Sequence, residues 1–277
     1  MEMNCNGKTL DLSTPAVMGI LNLTPDSFYD GGTLNSVDEA VVRVADMVDA
    51  GAHIIDLGAQ SSRPGAQRIE ADEEIHRLAP FVGELMSRFP SMVFSIDTFH
   101  ARVAKWAVDH GIGIVNDISG GHADPEMIKT VAAMKVPYVA MHMKGTPENM
   151  QVNPAYGDVV EEVALAIRQM VNRCHEAGIE NVIIDPGFGF GKSLSHNYRL
   201  LMEMDQWSVP GCPILCGVSR KSMINKVLGT SPNDALNGTT VLHTLCLERG
   251  ASILRVHDVR EAVEAVKIVS FALSVHH

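Results

Sequence analysis

Residues 181–187 read NVIIDPG, a short run of Val and Ile that ends on an acid and is stopped by Pro-Gly. A run this apolar, with no alternation of polar and apolar positions, suits a strand buried on both faces of a parallel sheet. The same design recurs at AVMGILN (16–22), HIIDLG (53–58), MVFSID (92–97), GIVND (113–117), PYVAMH (137–142), PILCGVS (213–219) and SILRVH (252–257). The intervening stretches have helical period: Val37, Ala40, Val41, Val44 and Val48 share one face, as do Val160, Val163, Ala164, Ile167, Val171 and Cys174. Ser36 with Glu39, and Asp258 with Glu261, have the spacing of a capping box. Eight strand and helix pairs in roughly 250 residues predict an α/β fold, a closed (β/α)8 barrel rather than an open doubly wound sheet. We take 16–277 as that barrel in one domain, and the polar, uneven residues 1–15 as an extension that closes its bottom. The loops 24–35 and 58–71 exceed the usual length of roughly two to six residues and are expected to cover a site.

Composition narrows the partners. The chain has 277 residues, 46% hydrophobic and 20% charged, which is enough for a large core. A net charge of −11 repels nucleic acid backbones and anionic membranes, so an anionic ligand needs a local basic pocket. Cys5, Cys174, Cys212, Cys216 and Cys246 are odd in number and contain no C-x-x-C pair, which argues against a disulfide framework or zinc clip and for a reducing, cytoplasmic setting. The start carries no signal peptide and no run is long enough to span a bilayer.

In a barrel of this class, strand ends deliver side chains to one rim where chemistry occurs. Here they are Asn22, Asp56, Asp97, Asn116 with Asp117, His142, Asp185, Ser219 to Lys221, and Arg255 with His257. Asp and Asn also stop strands by bonding to turn backbone, and at any single position that reading competes evenly with function. A polar terminus at every strand is harder to dismiss. The ring divides by charge. Asp97, Asn116 and Asp185 gather acceptors suited to the adjacent N–H donors of a 2-amino-pyrimidinone. Lys221, Arg255, His257 and Arg63 gather donors suited to phosphate or pyrophosphate.

Several motifs fail on inspection. DPGFGFGKS (185–193) ends like a phosphate loop, yet Pro186 stands where the first glycine of a Walker loop is required, and Lys192 stands where G-x-G-x-x-G needs its last glycine. It reads as a glycine-rich turn. Gly217-Val218-Ser219 lacks the closing glycine of a nucleophile elbow, so Ser219 is not assigned as a nucleophile. Twelve histidines include no H-E-x-x-H. His142 is either a site residue or a satisfied histidine near the core, and we favour the second.

Taken together, GILNLTPDSFYDGG (19–32), SSRPGA (61–66), SIDTF (95–99), VNDISGG (115–121), MHMKGTP (141–147), DPGFGFGKS (185–193), GVSRKS (217–222) and RVHDV (255–259) closely resemble the dihydropteroate synthase family, from about Val17 to Val259. The resemblance implies a folate-pathway transferase that joins 6-hydroxymethyl-7,8-dihydropterin pyrophosphate to 4-aminobenzoate, with Mg2+ as cofactor, sulfonamides as competitive inhibitors and a homodimer as the assembly. By matched position, Asp97, Asn116, Asp185 and Lys221 contact the pterin, with Met141 lining its pocket. Asn22, Arg63, Arg255 and His257 hold pyrophosphate, Asn22 nearest the metal. Ser62, Pro64, Phe190, Lys221 and Ser222 hold the aminobenzoate, and Asp97, Lys221, Arg255 and His257 form the catalytic group. Asp26, Phe28 and Arg63 ride on the loops that close. The chain departs from the family at Gln60 and Ser62, where GGEST is common before the arginine, which alters a loop anchor and bears on sulfonamide sensitivity. Tyr29 adds bulk to the first loop. The rivals are a pterin-binding methyltransferase barrel, which has no need of a pyrophosphate clamp, and a pterin-binding protein without chemistry.

Overall fold

A computed structural model describes residues 1–23, 36–60, 68–146, 150 and 154–275. The chain opens with β1 (Glu2–Cys5) and β2 (Lys8–Asp11), an antiparallel hairpin turned at Asn6-Gly7. The barrel strands follow as β3 (Ala16–Asn22), β4 (Ile54–Gly58), β5 (Val93–Asp97), β6 (Ile114–Asp117), β7 (Tyr138–Met141), β8 (Val182–Asp185), β9 (Leu215–Cys216) and β10 (Ile253–Val256). Between and after them lie α1 (Val37–Asp49), α2 (Ala71–Arg88), α3 (Ala101–Asp109), α4 (Met127–Met134), α5 (Val159–Glu176), α6 (Leu194–Met202), α7 (Met204–Trp207), α8 (Ser222–Leu228), α9 (Leu236–Glu248) and α10 (Val259–Ser274). All eight barrel strands are parallel, in the order β8-β7-β6-β5-β4-β3-β10-β9. A bridge between Ile184 and Ile214 joins the last strand to the first, so the (β/α)8 barrel closes. Strand β9 is far shorter than the run 213–219 suggests, because Pro213 brings no N–H to the ladder and the chain turns after Cys216. Among the described residues no helix is long and apolar enough to cross a membrane.

Alternation along each strand sends one set of side chains outward to the helices and the other into the barrel. The lower interior is apolar: Ala16, Met18, Ile54, Val93, Ile114, Val139, Ile183, Leu215 and Ile253 form one cluster with Met3, Cys5 and Leu10 of the hairpin. The hairpin is fastened from its turn, where Asn6 Nδ2 donates to the carbonyls of Val108 (2.9 Å) and Ile112 (3.1 Å), and Lys8 Nζ donates to Met92 (2.7 Å). Outward residues meet the amphipathic helices as expected: Ala40 and Val44 of α1, and Val160, Val163, Ala164, Ile167, Val171 and Cys174 of α5, are buried.

One expected cap forms and another does not. Ser36 accepts from the Glu39 amide at 3.2 Å, whereas Asp258 makes no side-chain cap on α10. Its carboxylate is taken instead by the Arg220 guanidinium, Nε to Oδ2 at 2.9 Å and Nη2 to Oδ1 at 2.7 Å, a charge-assisted fork stronger than an N–H cap.

Two features of the packing make quantitative predictions. A Cβ on Gly113 would lie 2.7 Å from the Cys5 carbonyl oxygen and 2.8 Å from Cys5 Cβ. Gly113→Ala therefore overpacks the seat of the hairpin and should destabilise the fold by about 1–3 kcal/mol, read by urea denaturation; an unchanged midpoint would mean that the hairpin is not seated there. Glu74 on α2 is fully buried. Burial pushes its carboxyl up to about 8; the Thr98 hydroxyl opposes this in part, while the Asp97 charge adds to it. A raised native pKa means that the folded chain holds this proton more tightly than the unfolded chain does. The associated stability is complete below the unfolded value near pH 4.5 and is lost as pH rises through about 8. Glu74→Gln should then lose less stability than the parent between pH 5 and pH 8.5, by on the order of a few kcal/mol, in paired denaturation curves. Parallel pH profiles for the two proteins would refute this.

Candidate active site

Above the apolar floor the barrel interior turns polar. Asp56 of β4 has no exposed surface, and its Oδ2 accepts from Arg255 Nε at 2.6 Å and from Asn116 Nδ2 at 3.0 Å. Arg255 of β10 also gives Nη2 to Asp97 Oδ2 at 2.8 Å. One guanidinium thus bridges two carboxylates, and the amide of Asn116 is held by one of them. The remaining oxygen of Asp56, Oδ1, is buried and, among the described residues, has no hydrogen-bond partner. Burial works against the charge on Arg255, but Asp56 and Asp97 more than offset this and hold it cationic. Burial also pushes the Asp97 carboxyl up to about 7; Arg255 opposes the rise, and the charges of Asp56 and Asp117 reinforce it.

A second pair stands beside this network. Asp185, at the end of β8, accepts from the Gly187 amide at 2.7 Å; burial raises its pKa, and the Lys221 ammonium opposes that rise. Lys221 is pushed down to about 8 by burial, with Asp185 opposing. Its Nζ donates a short bond to the Phe188 carbonyl and lies 4.7 Å from the centre of the Phe190 ring. The preceding residue makes this possible: Arg220 adopts a left-handed conformation (φ 53°) and is bolted to Asp258, so the chain turns and delivers Lys221 inward.

At the rim, His257 donates its backbone N–H to Ser219 Oγ (3.2 Å), and its Nδ1 lies 3.0 Å from the same oxygen. Ser219 is buried and holds the imidazole, a role consistent with its rejection as a nucleophile. Asn22 ends β3 opposite Gly58. A Cβ at Gly58 would come within 3.6 Å of Asp97 Cβ and 3.9 Å of Asn22 Oδ1, so the missing side chain keeps a small cradle open between the two. An apolar wall completes the cup: Phe99, Ile118 and Met141 cluster, with Met143 and Phe190 packed on them.

The structure therefore brings Asn22, Asp97, Asn116, Met141, Asp185, Phe190, Lys221, Arg255 and His257 to one end of the barrel, and Ser222 opens α8 directly after Lys221. Asp26, Phe28, Ser62, Arg63 and Pro64 lie outside the described residues. Two strand-end candidates prove to be local fasteners. Asp117 points outward and accepts from the Ser119 and Gly121 amides (both 2.8 Å) and from the Tyr138 hydroxyl (2.7 Å). His142 is a satisfied histidine, 3.1 Å from Lys192 Nζ through Nδ1, its pKa pushed down to about 3 by burial with the Lys192 charge adding to the shift. The charges also interleave more than the sequence suggests, because Arg255 touches Asp97 directly. Sequence reasoning passed over Phe99 and Ile118. Their signal was available, since each is an apolar residue just beyond a strand end, but such residues are also ordinary core.

A family model described as pterin binding enzyme matches residues 18–257. The dihydropteroate synthase of Escherichia coli (strain K12) is 44% identical over 276 residues, which cover 99% of this chain and 97% of the relative. The Yersinia pestis dihydropteroate synthase, solved as a sulfonamide drug complex, superposes with a TM-score of 0.94 at 41% identity, covering 99% of this chain and 100% of the other. The Xanthomonas albilineans enzyme, solved with 4-aminobenzoic acid, superposes at 0.90 with 38% identity and 98% coverage of each chain. The chain belongs to the pterin binding enzymes and, within them, to the dihydropteroate synthases.

Proposed function

We propose that the cup performs the synthase reaction by letting pyrophosphate leave before the amine attacks. The observation that carries this reading is the Asp56–Arg255–Asp97 network with Asp185 and Lys221 at the same end of the barrel, so that acceptors and cations share one cup. Asp185 and Asn116 take the N–H donors of the pterin pyrimidinone, and Lys221 donates to its acceptors. Met141 and Ile118 line the side of the cup that takes the ring system. Arg255 commits donors to Asp56 and Asp97 and retains others of its five N–H groups for the leaving group; His257 and Asn22 at the same rim, and Arg63, share that task in this reading. As the C–O bond of the pyrophosphate ester breaks, its electron pair goes to the leaving oxygen, where these donors meet the growing negative charge. The methylene carbon left behind is cationic and delocalised over the pterin, and the ionised form of Asp97 favours it. The aminobenzoate nitrogen then attacks that carbon and gives up a proton. Ser62, Pro64, Phe190, Lys221 and Ser222 hold the aminobenzoate, and loops bearing Asp26, Phe28 and Arg63 close to exclude water.

The site fits a magnesium ion brought in with pyrophosphate better than a resident one. Among the described residues no three His, Cys, Asp or Glu side chains gather to hold a metal. The Asn22 carbonyl oxygen, beside the Gly58 cradle and Asp97, is the kind of single hard donor used when substrate phosphates and water supply the remaining ligands. When bound, the ion supplies charge neutralisation to the leaving group.

The same reading takes sulfonamides as competitors for the aminobenzoate position. It also takes a second copy of this chain as the partner, supported by the exposed apolar residues Val227 and Leu228 of α8, Val241 of α9, and Ile268 and Phe271 of α10. All five cysteines are thiols, which supports a reducing, cytoplasmic setting.

Sustained pyrophosphate release should require both 4-aminobenzoate and magnesium, because without the amine the cationic carbon is recaptured by pyrophosphate before the anion escapes. Release with neither, or none under any condition, would favour the methyltransferase or inactive reading. Asp185→Ala should weaken binding of 6-hydroxymethylpterin by about tenfold or more in calorimetry, as expected when a buried charged partner is lost. His257→Ala should lower kcat by a similar factor while pterin affinity stays within about twofold. Equal effects of the two variants on both quantities would sink the assignment.

A further inference from the structure

Lys192 is the buried cation that this mechanism leaves unused. It is 3% exposed, and among the described residues no carboxylate forms a salt bridge with it. Its Nζ donates to the carbonyls of Gly187 (2.9 Å), Phe190 (2.9 Å) and His142 (3.3 Å), and it lies 3.1 Å from His142 Nδ1. The three protons of the ammonium serve four acceptors, so the one directed at His142 is shared between its carbonyl and Nδ1; Nδ1 is an acceptor, and burial keeps that imidazole neutral. In a phosphate loop the corresponding lysine reaches a ligand; here it turns back on the carbonyls of its own loop.

The backbone around it is pressed close. A Cβ on Gly187 would collide with the His142 carbonyl, and one on Gly191 with the Lys144 carbonyl; both glycines have left-handed φ (66° and 63°). The Tyr156 hydroxyl donates to the Gly191 carbonyl at 3.0 Å, and the Tyr156 ring is flanked by Lys144 Nζ (4.0 Å) and the edge-on ring of His196 (5.0 Å). The turn after β8 is therefore fastened to the loop after β7, with Lys192 as the donor on which its inward carbonyls converge. On the other side of the same turn, the Phe188 carbonyl accepts from Lys221 and the Phe190 ring lies against it.

We propose that Lys192 is a positioning residue for the aromatic amine: by tying Gly187 and Phe190 to His142, it fixes the turn that sets Phe190 at the aminobenzoate position. The inference rests on the reading of Phe190 as part of that position.

Lys192→Met keeps the length of the side chain and removes every donor. It should raise KM for 4-aminobenzoate by about tenfold, the effect of leaving buried carbonyls without a partner. The affinity for 6-hydroxymethylpterin, measured by calorimetry, should stay within about twofold. Lys192→Gln restores part of the donor set and should give an intermediate KM; if the Met variant does not fold, the Gln variant decides. Phe190→Ala serves as the control on the site itself. If Phe190→Ala raises KM for aminobenzoate but a folded Lys192 variant does not, Lys192 has no positioning role and the site assignment stands. If the Lys192 variants lose pterin and aminobenzoate affinity equally, the lysine merely supports the fold and the proposal fails. If Phe190→Ala leaves KM unchanged, the aminobenzoate position is misassigned and the proposal falls with it.

Discussion

The rim of this barrel depends on one guanidinium lying between two carboxylates. Asp56 is wholly buried, and a buried carboxylate without a cation costs several kcal/mol in lost hydration. Arg255 supplies the cation from β10, across the interior and past β3, while also reaching Asp97 on β5. The separation in sequence is 199 residues for one contact and 158 for the other, and it is the pairing of β10 with β3 that brings Arg255 to β4 and β5. The apolar layer beneath, plugged by the hairpin, keeps water from entering at the other end. Replacing one member of the network leaves another charge buried and uncompensated, which is why the cup is best understood as a unit and not as a set of separable contacts.

Interleaving of charges has a consequence for the chemistry. Were the carboxylates at the floor and the cations at the lip, pterin binding and pyrophosphate departure would engage separate groups. Instead the arginine assigned to the leaving group already contacts Asp97, and the lysine assigned to the pterin lies within electrostatic reach of both Asp185 and Arg255. In the proposed reaction, the pull of Arg255 toward the departing anion loosens its hold on Asp97 at the moment positive charge appears on the methylene carbon. The two halves of bond breaking are thereby coupled through one side chain.

Much of this was legible because the fold obliges it. The strand runs were continuous and apolar, their period of two sent alternate residues inward, and closure brought the inward strand ends to one rim. Hence Asp97, Asn116, Asp185, Lys221 and Arg255 could be gathered from the sequence alone, while Asp117, one residue from Asn116, proved by the same alternation to face outward and bond to its own turn. What could not be read were contacts that depend on direction within turns. The Asp258 cap failed because Arg220, distant in sequence, competed for its carboxylate. Glu74 sits at a position where helical period asks for an apolar side chain, so nothing in the pattern marks it as a buried acid. The Arg255–Asp97 contact was hidden because strand order could not be deduced from one chain.

The segments leaving β8 and β9 show why a short motif can be dense in polar residues without every one of them meeting substrate. In Ser219-Arg220-Lys221, consecutive side chains diverge: the serine holds His257, the arginine anchors Asp258, and only the lysine enters the cup. In Gly187 to Lys192, the glycines allow backbone to press on backbone, the phenylalanine at 190 faces the cup, and the lysine returns to satisfy the carbonyls exposed by that close approach. A turn that leaves a strand sharply presents its carbonyls in several directions, and each inward one needs a donor. Lys192 and Arg220 are such donors: the first fixes the turn that carries Phe190, and the second holds the backbone from which Lys221 is aimed.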